Sequence, residues 1–207
     1  AVSKNITVAL SSSTSTDTCN LIFAVTSGSN YLYAECPLEK GKFNHIGAVV
    51  DQTDSAKLYF YVNGLLRDST LGSNELGTIN FAKAELRFGS GSKHQYGNQY
   101  FVPESILTGS IDEFRIWGDA RDRHTINKYK TKTVFAQTSS LESSGSLLLY
   151  YKFNEPTGSY DSNHIILDHS GYGLHAKMEN FSEPINRGEK GYVNPMVHER
   201  LEFSPAL

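Results

Sequence analysis

Residues 57–69 read KLYFYVNGLLRDS, and the Asn63-Gly64 pair at their centre constrains the fold more than any other feature. Asn-Gly favours a type I′ turn, whose twist matches two flanking antiparallel strands. The strand before it alternates, with Leu58, Phe60 and Val62 on one face and Lys57, Tyr59 and Tyr61 on the other. One face is therefore expected in a sandwich core and the other against water or a partner. A two-residue turn sets Arg67 opposite Phe60, so the far end of the hairpin is expected to leave the core.

Strand-like runs recur along the chain with turn signals between them: NITVALS, NLIFAVTS, YLYAEC, FNHIGAVVD, KLYFYV, LLRDS, AELRFG, GSIDEFRIW, LLLYYKFN and HIILDH. This is the all-β pattern. GSGSKHQYGNQY (89–100) is Gly-rich and polar and reads as a long loop. One segment breaks the pattern: after Trp117, Asp122 can cap a helix of about three turns, with Ile126, Tyr129 and Val134 as its apolar stripe. From about residue 179 the chain holds three prolines and little alternation. We read residues 1–178 as one domain and 179–207 as an extended arm or linker.

Cys19 and Cys36 sit on two runs joined by a turn containing Gly28. A tight hairpin places them on one face but diagonally, roughly 7 to 8 Å apart, too far for a bridge. A slip of two residues would bring them opposite each other.

Chemistry-bearing patterns are few. A net charge of −3, with both signs interspersed, gives no footprint for nucleic acid or an anionic membrane. No apolar run approaches the roughly 18 to 20 residues of a membrane span. No strand carries the alternating acids of a glycosidase, and no G-x-S-x-G elbow or phosphate loop is present. The chain is not expected to be an enzyme. His164, His169 and His175 lie close together in sequence, without the Cys or carboxylate set that zinc spacing requires. Asn5 and Asn180 fit the glycosylation sequon. Tyr59 and Tyr61, with Tyr150, Lys152 and Asn154 on another strand, are the candidate ligand-binding residues, because strand aromatics stack on glycans and anchor protein interfaces. The alternative is ordinary half-exposed strand tyrosines.

Four segments together resemble one family. GKFNHIGAVVDQTDSAKLYFYVNGLL is similar to the laminin-G-like run of an aromatic, a His, a hydrophobic-A-V and L-Y-V-N-G. AELRFGSG resembles the following L-x-I-G strand, and GSIDEFRIWGDARD the G-x-I-D-E/D-V-R-I-W segment with its helix. LLLYYKFNEPTG and ILDHSGYGLHAKM resemble the closing Y-Y/W-x-F-D/N-E-x-x-G and D-x-S-G-x-G-x-H. The resemblance spans roughly residues 43–178. It implies a concanavalin A-like jelly roll, two antiparallel sheets packed face to face with one short helix. The family's two opening strands are not visible. NITVAL looks like a later strand, so the first part of the sandwich is expected to be missing or supplied by the tail or a neighbouring chain. An unpaired edge and an apolar face would result. VNPMVHERLEFSPAL resembles connecting segments in large phage structural proteins.

The resemblance also implies sites. Asp112 shares the parity of Phe114 and Ile116, so its carboxylate should point with the core residues and needs partners. Related jelly rolls place a structural calcium near such an Asp. Calcium takes six to eight oxygens, so Asp51 and Asp168 are the candidate helpers. The alternative is an Asp112 that accepts backbone N–H bonds from a loop. His45 is expected to make a structural hydrogen bond, and Trp117, Phe114 and Ile116 to lie in or around the core. The implied function is a non-catalytic structural or adhesion module in an extracellular or virion-surface assembly, with protein subunits as partners. The alternative is a lectin-like module that binds glycans with calcium.

Overall fold

The computed structural model describes residues 4–11, 15–71, 76–79, 86–89, 91, 93–96, 98–132, 134, 146–154 and 165–178. The arm (179–207), His164 and Asn180 lie outside these residues. The chain divides into two compact units, residues 1–109 with 122–130, and residues 110–121 with 131–207. Among the described residues no helix is long and apolar enough to cross a membrane.

The first unit is built on two three-stranded antiparallel sheets. One has the order β1 (Lys4–Ser11), β2 (Thr18–Ser27), β3 (Asn30–Glu39); the other has β4 (Ile46–Asp51), β5 (Lys57–Val62), β6 (Leu65–Leu71). Period-2 alternation decides which side chains enter the space between them. Leu21, Phe23 and Val25 of β2 and Leu32, Ala34, Cys36 and Leu38 of β3 join Leu58, Phe60 and Val62 of β5 in one buried cluster. Phe23 meets Phe60 across the core, ring centroids 5.7 Å apart and tilted by 45°.

The β2–β3 register sets Cys19 opposite Leu38 and Leu21 opposite Cys36. The two cysteines are therefore diagonal, and both are buried free thiols. The Asn63-Gly64 turn has φ of 55° and 79°, as a type I′ turn requires. Its exit differs from the expectation. A bulge pairs Phe60 with Asp68 and leaves Arg67 as the extra residue. The bulge re-aims Asp68, whose Oδ2 accepts the Glu35 N–H at the edge of β3, 2.9 Å away.

Residues 89–100 are not simply a loop. β7 (His94–Tyr96) and β8 (Gln99–Phe101) form a hairpin whose His94 and Tyr96 are buried. Three residues of alternation are too few to stand out in a Gly-rich run. His94 Nε2 lies 3.2 Å from Thr26 Oγ1 and Nδ1 lies 2.5 Å from Thr7 Oγ1, tying β7 to both β1 and β2. Of AELRFG, residues 84 and 85 lie outside the described residues, and 86–89 are not in a strand.

α1 (Arg123–Tyr129) spans two turns rather than three, capped by Asp122 accepting the Thr125 N–H at 2.7 Å. It packs on the outer face of the second sheet. A Cβ on Gly47 would lie 3.4 Å from Ile126 Cγ2, and one on Gly64 would run into Asn127 Oδ1. Lys130 Nζ donates to the Asn63 carbonyl at 3.2 Å. Val134 does not continue the helical stripe. It is buried with Leu147 and Tyr150 in the second unit.

In the second unit β9 (Phe114–Trp117) pairs antiparallel with β10 (Leu147–Tyr151), and β11 (Ile165–Ile166) with β12 (Ala176–Lys177). Trp117 packs against the Val134–Leu147–Tyr150 cluster with the Arg121 guanidinium 4.0 Å from its ring centroid. It is core-edge packing and not an open stacking platform.

Candidate functional site

Tyr59 and Tyr61 leave the outer face of β5, as their parity predicts. Tyr59 is half-buried there. Tyr61 is buried, because its partner in register, Gly47, lies under Ile126 of α1. It is a seat for the helix and not a ligand platform. Burial holds its phenol above the ordinary range.

Tyr150, Lys152 and Asn154 belong to the second unit. Tyr150 is fully buried, which corrects its reading as a surface residue. Its hydroxyl donates to Glu113 Oε2, which also accepts from the Arg115 guanidinium. Arg115 in turn donates to the Lys132 carbonyl at 2.6 Å. Lys152 and Asn154 are half-buried, with Lys152 Nζ 5.3 Å from the Tyr150 ring. Burial pushes the Tyr150 phenol up and the Lys152 ammonium down. Glu113 holds this network from φ +53°, a conformation that costs a non-glycine residue energy. Strand parity puts the two acids of IDE on opposite faces, and nothing in it pairs Glu113 with Arg115, whose side chains are each 11% exposed.

Asp168 accounts for the DHSGYGLH segment. Its Oδ1 accepts the N–H groups of Tyr150 (3.0 Å) and Ser170 (2.9 Å). Its Oδ2 accepts the Ser170 hydroxyl (2.7 Å) and the Leu174 N–H (3.0 Å). The Asp168 N–H donates to His175 Nδ1 at 3.0 Å. A carboxylate has about four acceptor positions, and these four donors engage all of them. The loop is a self-closing clasp on β10. Asp112, half-buried, accepts the Glu113 N–H at 3.0 Å. Asp51, in the first unit, accepts the Thr53 N–H and hydroxyl at 3.0 and 2.7 Å. Among the described residues no three His, Cys, Asp or Glu side chains converge where a metal ion could sit.

His45 acts through its backbone. Its N–H donates to Asn63 Oδ1 at 2.9 Å and its carbonyl accepts the Asn63 N–H at 2.8 Å. Asn63 Nδ2 donates to Asn44 Oδ1 at 3.0 Å. The Asn of the turn thus pins the hairpin to the segment entering β4.

The surface features of the first unit lie at one flank and on one face. β3 meets β6 through Glu35–Asp68, and β2 faces β5 through Phe23–Phe60. With the observed strand orders, β1 and β4 are left as the outer strands of the opposite flank. Ile6, Val8 and Leu10 pair with Val25, Phe23 and Leu21, so they share the core-directed face. Yet Val8 is 50% exposed where Phe23 is 2% exposed, and Ile6 and Leu10 are 44% and 38% exposed. Across the flank Ile46 and Ala48 of β4, paired with Val62 and Phe60, are also exposed. On the outer face of β3, Tyr33 stacks on Tyr96 at 4.9 Å and 11°, its hydroxyl donates to Glu35, and exposed Tyr31 lies 6.5 Å from Tyr96.

The laminin-G-like profile described as the concanavalin A-like lectin/glucanases superfamily matches residues 3–127, more than half of the chain. The chain belongs to that superfamily. The match begins at β1 and ends inside α1, so it takes in the first unit's two sheets. The motifs legible in the sequence run from about residue 43 to 178. The antiparallel sheets and, among the described residues, single short helix of this concanavalin A-like chain agree with the family's all-β sandwich. No curated protein matches the chain. Among solved structures, an S-layer domain-containing protein of Clostridium thermocellum (residues 221–444) is similar, with 18% identity and a TM-score of 0.36. The likeness covers 62% of this chain and 64% of that one, so less than two thirds of that protein's segment is spanned.

Proposed function

We propose that the chain is a non-catalytic structural module of an extracellular or virion-surface assembly, and that it works through protein contacts. The observation that carries this is the row Ile6, Val8 and Leu10, core-directed yet exposed along the outer strand of the sandwich. Apolar rows of this kind in a superfamily sandwich mark contact surfaces more than catalytic ones. The Glu113–Arg115–Tyr150 network supports a structural role as well, because Glu113 takes both the Tyr150 hydroxyl and the Arg115 guanidinium and Arg115 reaches on to the Lys132 carbonyl.

Hydrogen exchange tests the reading. Amides of residues 5–10 should exchange more slowly in the parental assembly than in the dilute isolated chain. Equal exchange rates in the two would contradict it.

A second reading, glycan binding, is favoured by exposed Tyr31 beside the Tyr33–Tyr96 stack and the Glu35 carboxylate. An aromatic face with an adjacent carboxylate suits a sugar ring and its hydroxyls. Sugar binding on a glycan array that disappears in Tyr31→Ala would replace the first reading with this one.

A further inference from the structure

The geometry points to a second copy of this chain as the partner of β1, paired antiparallel about a twofold axis through Val8. This rests on the protein-contact reading and names the partner. Residues 5–11, NITVALS, carry no charge, no proline and no glycine. They pair with β2 in unbroken register from Lys4 to Ser11, without a bulge. Edge strands that avoid pairing are blunted by lysine, proline or a bulge, and residues 5–11 of β1 use none of these. Among the described residues β1 has a neighbour on one side only. Its outer backbone groups form a ladder that a further strand satisfies best.

Self-pairing follows from the spacing. The apolar row falls at 6, 8 and 10, symmetric about Val8. A twofold there sets Val8 against Val8, Ile6 against Leu10 and Thr7 against Ala9. Apolar meets apolar on one face, small residues meet on the other, and no like charges oppose each other. Such an isologous contact is closed, so it stops at a dimer. The two rows become one apolar band, with the exposed Ile46 and Ala48 of each copy beside it.

Two measurements on the full chain test this. Light scattering across about 1 to 200 μM should show mass rising towards twice the 23.0 kDa of the chain, and Val8→Lys should remain at one chain mass with an unchanged circular dichroism spectrum. Mild oxidation should cross-link Val8→Cys, whose two copies face each other. It should not cross-link Ile6→Cys, whose copies lie four residues apart in register, roughly 13 Å along the strands. A single chain mass at all concentrations overturns the self-pairing, as does a Val8→Lys dimer or preferential cross-linking of Ile6→Cys. Slowed exchange of residues 5–10 in the parental assembly would, in that case, still stand for the protein-contact reading with a different partner.

Discussion

The backbone N–H of Glu35 donates to the Asp68 carboxylate at 2.9 Å, and this bond closes one flank of the sandwich while Val8 leaves the other open. A bulge at Arg67 makes it, turning the side chain of an outer strand into the acceptor for the edge of the facing sheet. The bond is partly solvated, so its net worth is at the modest end for a charged acceptor. Asp68→Ala should cost about 1 kcal/mol in urea unfolding, and Asp68→Asn less, since an amide oxygen still accepts.

The Asp168 clasp should show itself in acid. Burial alone would raise the carboxyl, but the hydrogen bonds from Ser170, Tyr150 and Leu174 outweigh it and hold Asp168 below the ordinary carboxylate range. A depressed carboxyl contributes stability that is present above its unfolded value of about 3.9 and is lost as pH falls through the lower folded value. Asp168→Asn should lower stability by about 3 kcal/mol at neutral pH. Its melting temperature should then fall less than the parent's between pH 5 and pH 2.

His94 gives a second pH signature. Burial depresses its imidazole, and both ring nitrogens face threonine hydroxyls. The neutral form is the folded one, so its stability is present above about 6.5 and is lost as pH falls through the lower folded value. Thermal melts from pH 7.5 to 4.5 should show the parent losing stability through this window, and His94→Gln losing less.

Gly64 has φ +79°, and a Cβ there would run into Asn127 Oδ1. Gly64→Ala therefore carries both backbone strain and a clash with the helix, and should cost about 1 to 2 kcal/mol. Adding Asn127→Ala should recover the clash and leave the strain. A double variant no better than Gly64→Ala alone would show that the Asn127 amide swings clear and that the cost is backbone strain.

What the sequence revealed was local. Asn63-Gly64 needs positive φ twice, and it fixed the β5–β6 turn. The turn at Gly28 fixed the β2–β3 register, and with it the diagonal thiols. What it hid was tertiary. Alternation assigns Tyr61 to the outer face but cannot say that α1 covers that face. Three residues of β7 are too short to show alternation, although His94 is among the most buried side chains. β10 ends at Tyr151, short of Lys152 and Asn154, and the network that buries Tyr150 depends on Glu113 at positive φ, which no period predicts. Asp168 stood out in the sequence only as a candidate calcium helper beside Asp112, and its backbone and hydroxyl donors come from a loop whose closure no strand period shows.

The account stands most directly on the contrast between Val8 and Val25, two valines on the same core-directed face of adjacent strands, one exposed and one fully buried. Urea unfolding of Val8→Lys and Val25→Lys, at concentrations where the chain is monomeric, tests it. Val8→Lys should stay within about 1 kcal/mol of the parent, while Val25→Lys should lose more than about 3 kcal/mol or fail to fold. Equal, severe losses at the two positions would mean that β1 is covered in the native fold, and would contradict the open flank.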